Sequence, residues 1–194
     1  MLRTYPLSIE PRHYLMLAVP FCLSLAMSAA RPSCASPAYA SGEQPQNYVQ
    51  NGGFERAGES WGWTCPHDWD ASTSLDSTGR NAHSGRNSIK LKCSGVITSN
   101  KYGQIYQYIP NLAVGRTYYL EAWCKGIGVG SNELLSTGSK WQYHANIPSG
   151  TFGWTHIKVV FTADSTNETI MILLQDTTKV LWVDDISLST EPIN

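Results

Sequence analysis

Acidic residues set among apolar ones are the first in this chain that could do chemistry. Near its far end the chain runs Lys179-Val180-Leu181-Trp182-Val183-Asp184-Asp185-Ile186-Ser187-Leu188. The run reads as a β-strand, and Asp184 shares the parity of Trp182, Ile186 and Leu188, which puts a carboxylate on the inward register. A bare buried charge is too costly to persist. Asp184 therefore needs a cation, a cluster of hydrogen-bond donors or a shifted pKa. Near the other end, Asn51-Gly52-Gly53-Phe54-Glu55 offers a second carboxylate beside a glycine pair. Calcium takes about six to eight oxygens from carboxylates, carbonyls and water. The reading is that these two stretches meet and share a calcium ion. Glu55 and Asp184 supply charge, and oxygens around Gly53, the turn 82–85 with Ser84, and Asn51 complete the shell. The alternative is a carboxylate held by strand-end amides with no metal.

Aromatic residues make a second set. Alternation in 118–125 turns Tyr119, Glu121, Trp123 and Lys125 outward while Leu120, Ala122 and Cys124 face in. If Ile105, Gln107 and Ile109 face in, then Gln104, Tyr106 and Tyr108 face out, and Trp141 is a third contributor. Flat rings meet the C–H face of a sugar, and carboxylates or amides meet its hydroxyls. Trp123 beside Glu121, with two tyrosines on a neighbouring strand, makes an aromatic platform for such a ligand. The bland alternative is a loop folded over that face, with Trp123 a satellite of the core. The irregular stretch 56–85 is the rival site, since structureless loops this long are often functional. Trp69 is its best ring for stacking. Trp154 and Trp182 are assigned to the core.

Catalysis has weaker support. Asp68, Asp70, Glu121 and Glu133 are the acids from which a hydrolytic carboxylate pair would be drawn. His67 and His144 with a tyrosine would serve a lyase-like elimination. Nothing in the spacing brings these together. The histidines, His83 and His156 included, lack zinc or copper spacing, and neither a G-x-S-x-G elbow nor a phosphate loop is present. A small secreted polysaccharide-degrading enzyme, glycoside hydrolase or lyase, remains the alternative function, and a protein-binding surface domain is a third class.

The elements that must position these residues are short strands. Nothing after residue 40 keeps a helical period. Alternating or apolar runs at 87–93, 102–109, 117–125, 139–145, 154–162, 168–175 and 180–188 are divided by Gly, Pro, Asn and Ser. Shorter strands are expected around 61–64 and 72–75. Seven or more such runs predict an all-β, two-sheet antiparallel sandwich of the jelly-roll kind. Before them, Arg3 and Arg12 precede an apolar run at 14–27, and Ala38-Tyr39-Ala40 closes a small-residue segment. That order is a secretory signal peptide over residues 1–40, followed by a polar linker at 41–46 and one domain over 47–194. Export permits a disulfide. Cys93 and Cys124 both face inward, so either a bridge between them or two buried thiols fits. The chain has 14 Lys and Arg against 15 Asp and Glu. Without a basic cluster, nucleic acid and anionic membrane are poor partners.

Several of these runs carry a family likeness. Asn51-Gly52-Gly53-Phe54-Glu55, Ala82-His83-Ser84-Gly85 before Ser88-Ile89-Lys90-Leu91, Ile105-Tyr106-Gln107, and Gly115-Arg116-Thr117-Tyr118-Tyr119-Leu120-Glu121-Ala122-Trp123 follow in order. Trp154-Thr155 and Val183-Asp184-Asp185-Ile186-Ser187-Leu188 complete the series. In this order they resemble carbohydrate-binding modules of the family 4/9/22 type. The resemblance implies a galactose-binding-like jelly roll and a structural calcium where the termini join. It also implies a sugar site on the concave face or on loops, with a polysaccharide of the β-glucan, cellulose or xylan class as partner.

Overall fold

Period-two alternation becomes strand throughout the computed structural model, which describes residues 46–56, 62–65, 71–94 and 103–192. The strands are β1 (Ala71–Asp76), β2 (Ser88–Cys93), β3 (Gly103–Ile109), β4 (Thr117–Val129), β5 (Leu134–Thr137), β6 (Tyr143–Asn146), β7 (Gly150–Thr162), β8 (Glu168–Leu174) and β9 (Thr178–Ser189). They form two antiparallel sheets, ordered β1-β2-β9-β4-β7 and β3-β8-β5-β6. Between the sheets lie Ile89, Leu91, Leu120, Cys124, Leu181, Val183 and Leu188 from the first, and Ile105, Ile109, Leu135, Ile170 and Ile172 from the second. The all-β sandwich is the one expected. The expected leader, and the linker apart from Gln46, lie outside the described residues, as do Trp61, His67, Asp68, Trp69 and Asp70.

Three departures have physical reasons. The expected strand at 139–145 begins instead as a 3₁₀ turn, Ser139–Trp141, with Lys140 and Trp141 at φ 54° and 58°. Leu134–Thr137 carries no alternation, because it is buried at three of its four positions. The largest departure is in β9. Trp123 pairs with Asp184 and Glu121 with Ser187, so Asp185 and Ile186 together oppose the single residue Ala122. This is a β-bulge, with Asp185 in the left-handed region at φ 47°. A bulge reverses parity beyond it. Leu181 and Val183 face the core before the bulge, and Ile186 and Leu188 face it after. Trp182 and Asp184 are therefore on the outer face, not the inner register they were assigned. Trp154 is also outside the core: it shares the outward parity of His156 and Lys158 on β7, and its ring meets His83.

Cys124 is a free thiol. β9 lies between β2 and β4, so Cys93 and Cys124 stand two strands apart at different heights, opposite Thr178 and Val183. Two inter-strand steps span about 9.6 Å, beyond disulfide reach.

The segment before β1 docks on β9 through its glycine pair. Ile186 N–H donates to the Gly52 carbonyl at 3.0 Å. A Cβ at Gly52 would collide with the Ile186 carbonyl. That close approach needs glycine. Phe54 then enters the core, and Asn51 closes a ring with Arg56, accepting from its amide at 3.0 Å and donating to its carbonyl at 2.8 Å.

Candidate functional site

Glu55 and Asp184 both reach one loop, His83–Asn87, which joins β1 to β2. Asp184 Oδ2 accepts from the His83 and Ser84 amides at 2.7 and 3.2 Å, and Oδ1 from the Asp185 amide at 2.8 Å. Glu55 Oε1 accepts from the Arg86 and Asn87 amides, both at 2.8 Å. Asp185 bonds His83 Nδ1 and the Ser84 hydroxyl, each at 2.7 Å. Gly53 lies against the Asp184 and Asp185 carboxylates. Asp184 is fully buried. Burial first and the Asp185 charge second push its pKa up to about 6, although three amides oppose the shift. The donors are hard oxygens of the kind calcium takes. Most lone pairs of Glu55 Oε1 and Asp184 Oδ2 already face amides. Among the described residues no group of three or more His, Cys, Asp or Glu is arranged around a metal position.

Beyond this junction, the outer face of the five-stranded sheet carries a cleft of about 660 Å³ lined by His83, Glu121, Trp123, His156, Lys158 and Asp185, among others. Trp123 stands on β4 between its two neighbours. His83 comes from the β9 side and stacks at 4.0 Å between centroids and 12° between planes. His156, opposite Trp123 on β7, stacks at 5.0 Å and 19°. Glu121 is 2% exposed, with Lys158 Nζ 3.0 Å from Oε1 and His156 Nε2 3.7 Å from Oε2. Lys158 also lies over the Tyr119 ring at 4.7 Å. Farther along, Asp76 accepts from Thr78 at 2.6 Å and from Asn81 and Trp182 Nε1 at 2.9 Å. These donors hold its carboxyl well below the usual range. Lys125 sits over Trp182 and donates to Asn81 at 3.1 Å, closing the ring of contacts. The loop 77–87 is thereby fastened to the outer face.

Gln104, Tyr106 and Tyr108 do not join Trp123, because β3 belongs to the other sheet. They do lie together along its outer face. Tyr106 heads a cross-strand row through Met171 and Ser136 to His144, and Gln104 a row through Leu173 and Leu134 to Asn146. The middle of this face is buried, with Leu173 and Ser136 at 0% and Met171 at 9% exposed, whereas Tyr108 is 57% exposed and His144 and Asn146 are open. Trp141 stands at the β6 edge, its carbonyl 2.9 Å from His144 Nδ1. Thr64 bridges to the backbone of Tyr106 at 2.8 and 3.0 Å, bringing the 62–65 segment to the β3 edge. His83, His144 and His156 were not singled out as ligand-binding residues; outward parity on β6 and β7 could have flagged His144 and His156, whereas His83 lies in a loop and carried no such signal. Of the acids considered for catalysis, Glu133 is buried against Thr178 and the Gln175 amide, while Glu121 lies on the outer face of the five-stranded sheet.

Solved structures share the fold at low identity. The enzymatically active domain of tailspike protein 4 from bacteriophage CBA120 matches at TM-score 0.55 and 17% identity over 74% of this chain, which spans 21% of that one. A family 16 carbohydrate-binding module matches at 0.51 and 22%, over 73% of this chain and 99% of its own. A family 61 module solved with β-1,4-galactotriose matches at 0.52 and 16%, over 75% and 99%. No curated protein sequence matches the chain. Residues 46–178 fit the family model described as a carbohydrate-binding domain, of the 4/9 type. With that match over most of its length, a sandwich of the same architecture and two outer faces bearing aromatic and polar groups, the chain belongs to this carbohydrate-binding family, whose members bind sugars without cutting them.

Proposed function

We propose that this is a secreted module that grips a polysaccharide of the β-glucan, cellulose or xylan class across the outer face of the four-stranded sheet. Family membership makes the partner a poly- or oligosaccharide and not nucleic acid or a membrane. The observation that carries the choice of face is the state of the rings. Tyr106 and Tyr108 have no ring neighbour among the described residues, whereas Trp123 lies between two imidazoles. A ring already stacked on both sides has no face left for a sugar. Met171, Leu173 and Ser136 in the middle of the face are covered, so the groups open to a sugar lie in two rows, Gln104, Tyr106 and Tyr108 along β3 and His144 and Asn146 with Trp141 along β6. Three inter-strand steps set the rows about 14 Å apart, a span that a run of sugar units can bridge.

The cleft beside Trp123 is the second reading, favoured by its volume and by Glu121. Pull-down on insoluble cellulose, xylan and β-glucan separates the two. Tyr106→Ala and Tyr108→Ala are expected to weaken binding by roughly 5- to 30-fold each, about 1–2 kcal/mol. Trp123→Ala is expected to leave affinity within about twofold and to lower stability by about 2 kcal/mol. The opposite pattern moves the site to the five-stranded sheet. Release of reducing ends by the pure protein overturns the binding-only reading.

The junction of Glu55, Asp184, Asn51, Gly53 and Ser84 is assigned a structural calcium in the same proposal. Its support is the buried charge of Asp184 and the adjacent carboxylate of Asp185, both of which a cation would offset. An unchanged melting temperature in excess chelator tells against it, because a tightly bound ion stabilises by mass action.

A further inference from the structure

The turn from β7 to β8 carries a group that neither the sugar site nor the junction uses. Glu168 opens β8 on the inward register, near the end of the sandwich, and is 4% exposed. Its Oε1 is buried with no hydrogen-bond partner. Its Oε2 accepts weakly from the Thr137 hydroxyl at 3.5 Å, and the Gly138 amide and the Asp164 carboxyl also reach the group. Burial and the nearby Asp164 carboxylate raise its pKa, and the Gly138 amide and Thr137 offset this only in part. Asp164 accepts from the Gln142 amide group at 3.0 Å. Among the described residues, neither acid has a Lys, Arg or His partner. Both line a pocket of about 250 Å³ whose other walls include Ser139, Ser165 and Asn167.

A buried carboxylate oxygen without a donor, beside a second carboxylate and ringed by hydroxyl and amide oxygens, is half of a hard-cation site. We infer that this pocket binds one calcium ion, with Glu168 and Asp164 as its charged ligands and Ser139, Ser165 and Asn167 as neutral oxygen donors. The rest of the shell is water, for which the pocket has room. The site stands apart in sequence from the Glu55–Asp184 junction and does not depend on it.

Calcium bound per chain, measured by equilibrium dialysis on the full chain, tests this. Glu168→Gln is expected to bind one equivalent fewer than wild type, and Asp184→Asn to keep that equivalent. Melting supplies an independent readout. In chelator, Glu168→Gln is expected to melt above wild type, because an unpaired buried charge is gone. In millimolar calcium the wild type is expected to gain on it or pass it. Asp164→Asn serves the dialysis arm if Glu168→Gln does not fold. Equal calcium binding by wild type and variant overturns the inference, as does a wild type that binds none. The latter result, with a melting gap that closes only on acidification, identifies a proton shared between the two carboxyls in place of the ion.

Discussion

Trp182 contributes to the fold mainly through its indole N–H. That group donates to Asp76 at 2.9 Å, while Lys125 lies over the ring. Trp182→Phe keeps an aromatic surface under the lysine and removes one donor from a carboxylate that is 8% exposed. Leaving a charged acceptor short of one partner costs about 1–3 kcal/mol. The expected result is a loss near that size in urea unfolding, with sugar affinity unchanged. Single residues were partly legible in advance. The outward direction of Trp123 follows from alternation alone and is correct. Its imagined neighbours Tyr106 and Tyr108 are not beside it, because alternation says which way a side chain points and not which sheet its strand joins. The two imidazoles that take its faces come from a loop and from a strand on the far side of β4, distances that no local pattern encodes.

At the level of elements, the bulge in β9 decides most of the geometry. Leu181 and Val183 face inward before it and Ile186 and Leu188 after it, so one strand serves the core with both parities. A strict count of two runs through the bulge and misplaces Trp182 and Asp184. The only local cue was a second aspartate, a residue type that tolerates the left-handed region. Gly52 is the counterpart of this bulge on the incoming segment, since Ile186 donates to its carbonyl. Gly52→Ala must push a methyl group into the Ile186 carbonyl, so either the segment lifts or β9 shifts. A loss of about 3 kcal/mol or more is expected, together with faster amide exchange at Tyr48 and Leu188, whose backbones are bonded at 2.8 Å. Gly53→Ala, which meets no backbone atom, is expected to cost far less. The glycine pair stood out in the sequence, but only the register shows that its two members have different duties.

For the whole molecule, the stability profile with pH follows from Asp184. Its folded pKa of about 6 lies above the ordinary 3.8. The folded chain therefore holds a proton that the unfolded chain has released, and stability falls as pH rises between about 4 and 6. Two pKa units correspond to about 3 kcal/mol at most. Chelator-treated protein is expected to melt lower at pH 6.5 than at pH 4.5 from this group. Calcium at the junction flattens that slope by favouring the carboxylate. Asp76, held low, contributes in the opposite sense, but only below the ordinary carboxylate range. Glu133 and Glu168, both raised by burial, act in the same sense as Asp184, so the part of the slope that Asp184→Asn removes is the part due to Asp184. The sandwich itself was legible as a class because its strands repeat one period between turn residues. The sheet order was not, since it depends on pairings far apart along the chain.

β9 sits third in its five-stranded sheet, between β2 and β4, yet comes last in chain order among the described strands. A ribosome building this protein cannot close the sheet until residue 189 has emerged. Until then β2 and β4 have no common neighbour and the loop bearing His83 has no aspartates to hold. The five-stranded sheet closes only once β9 has left the ribosome, and a product cut short before Thr178 is expected to remain open, protease-sensitive and without affinity for any glycan.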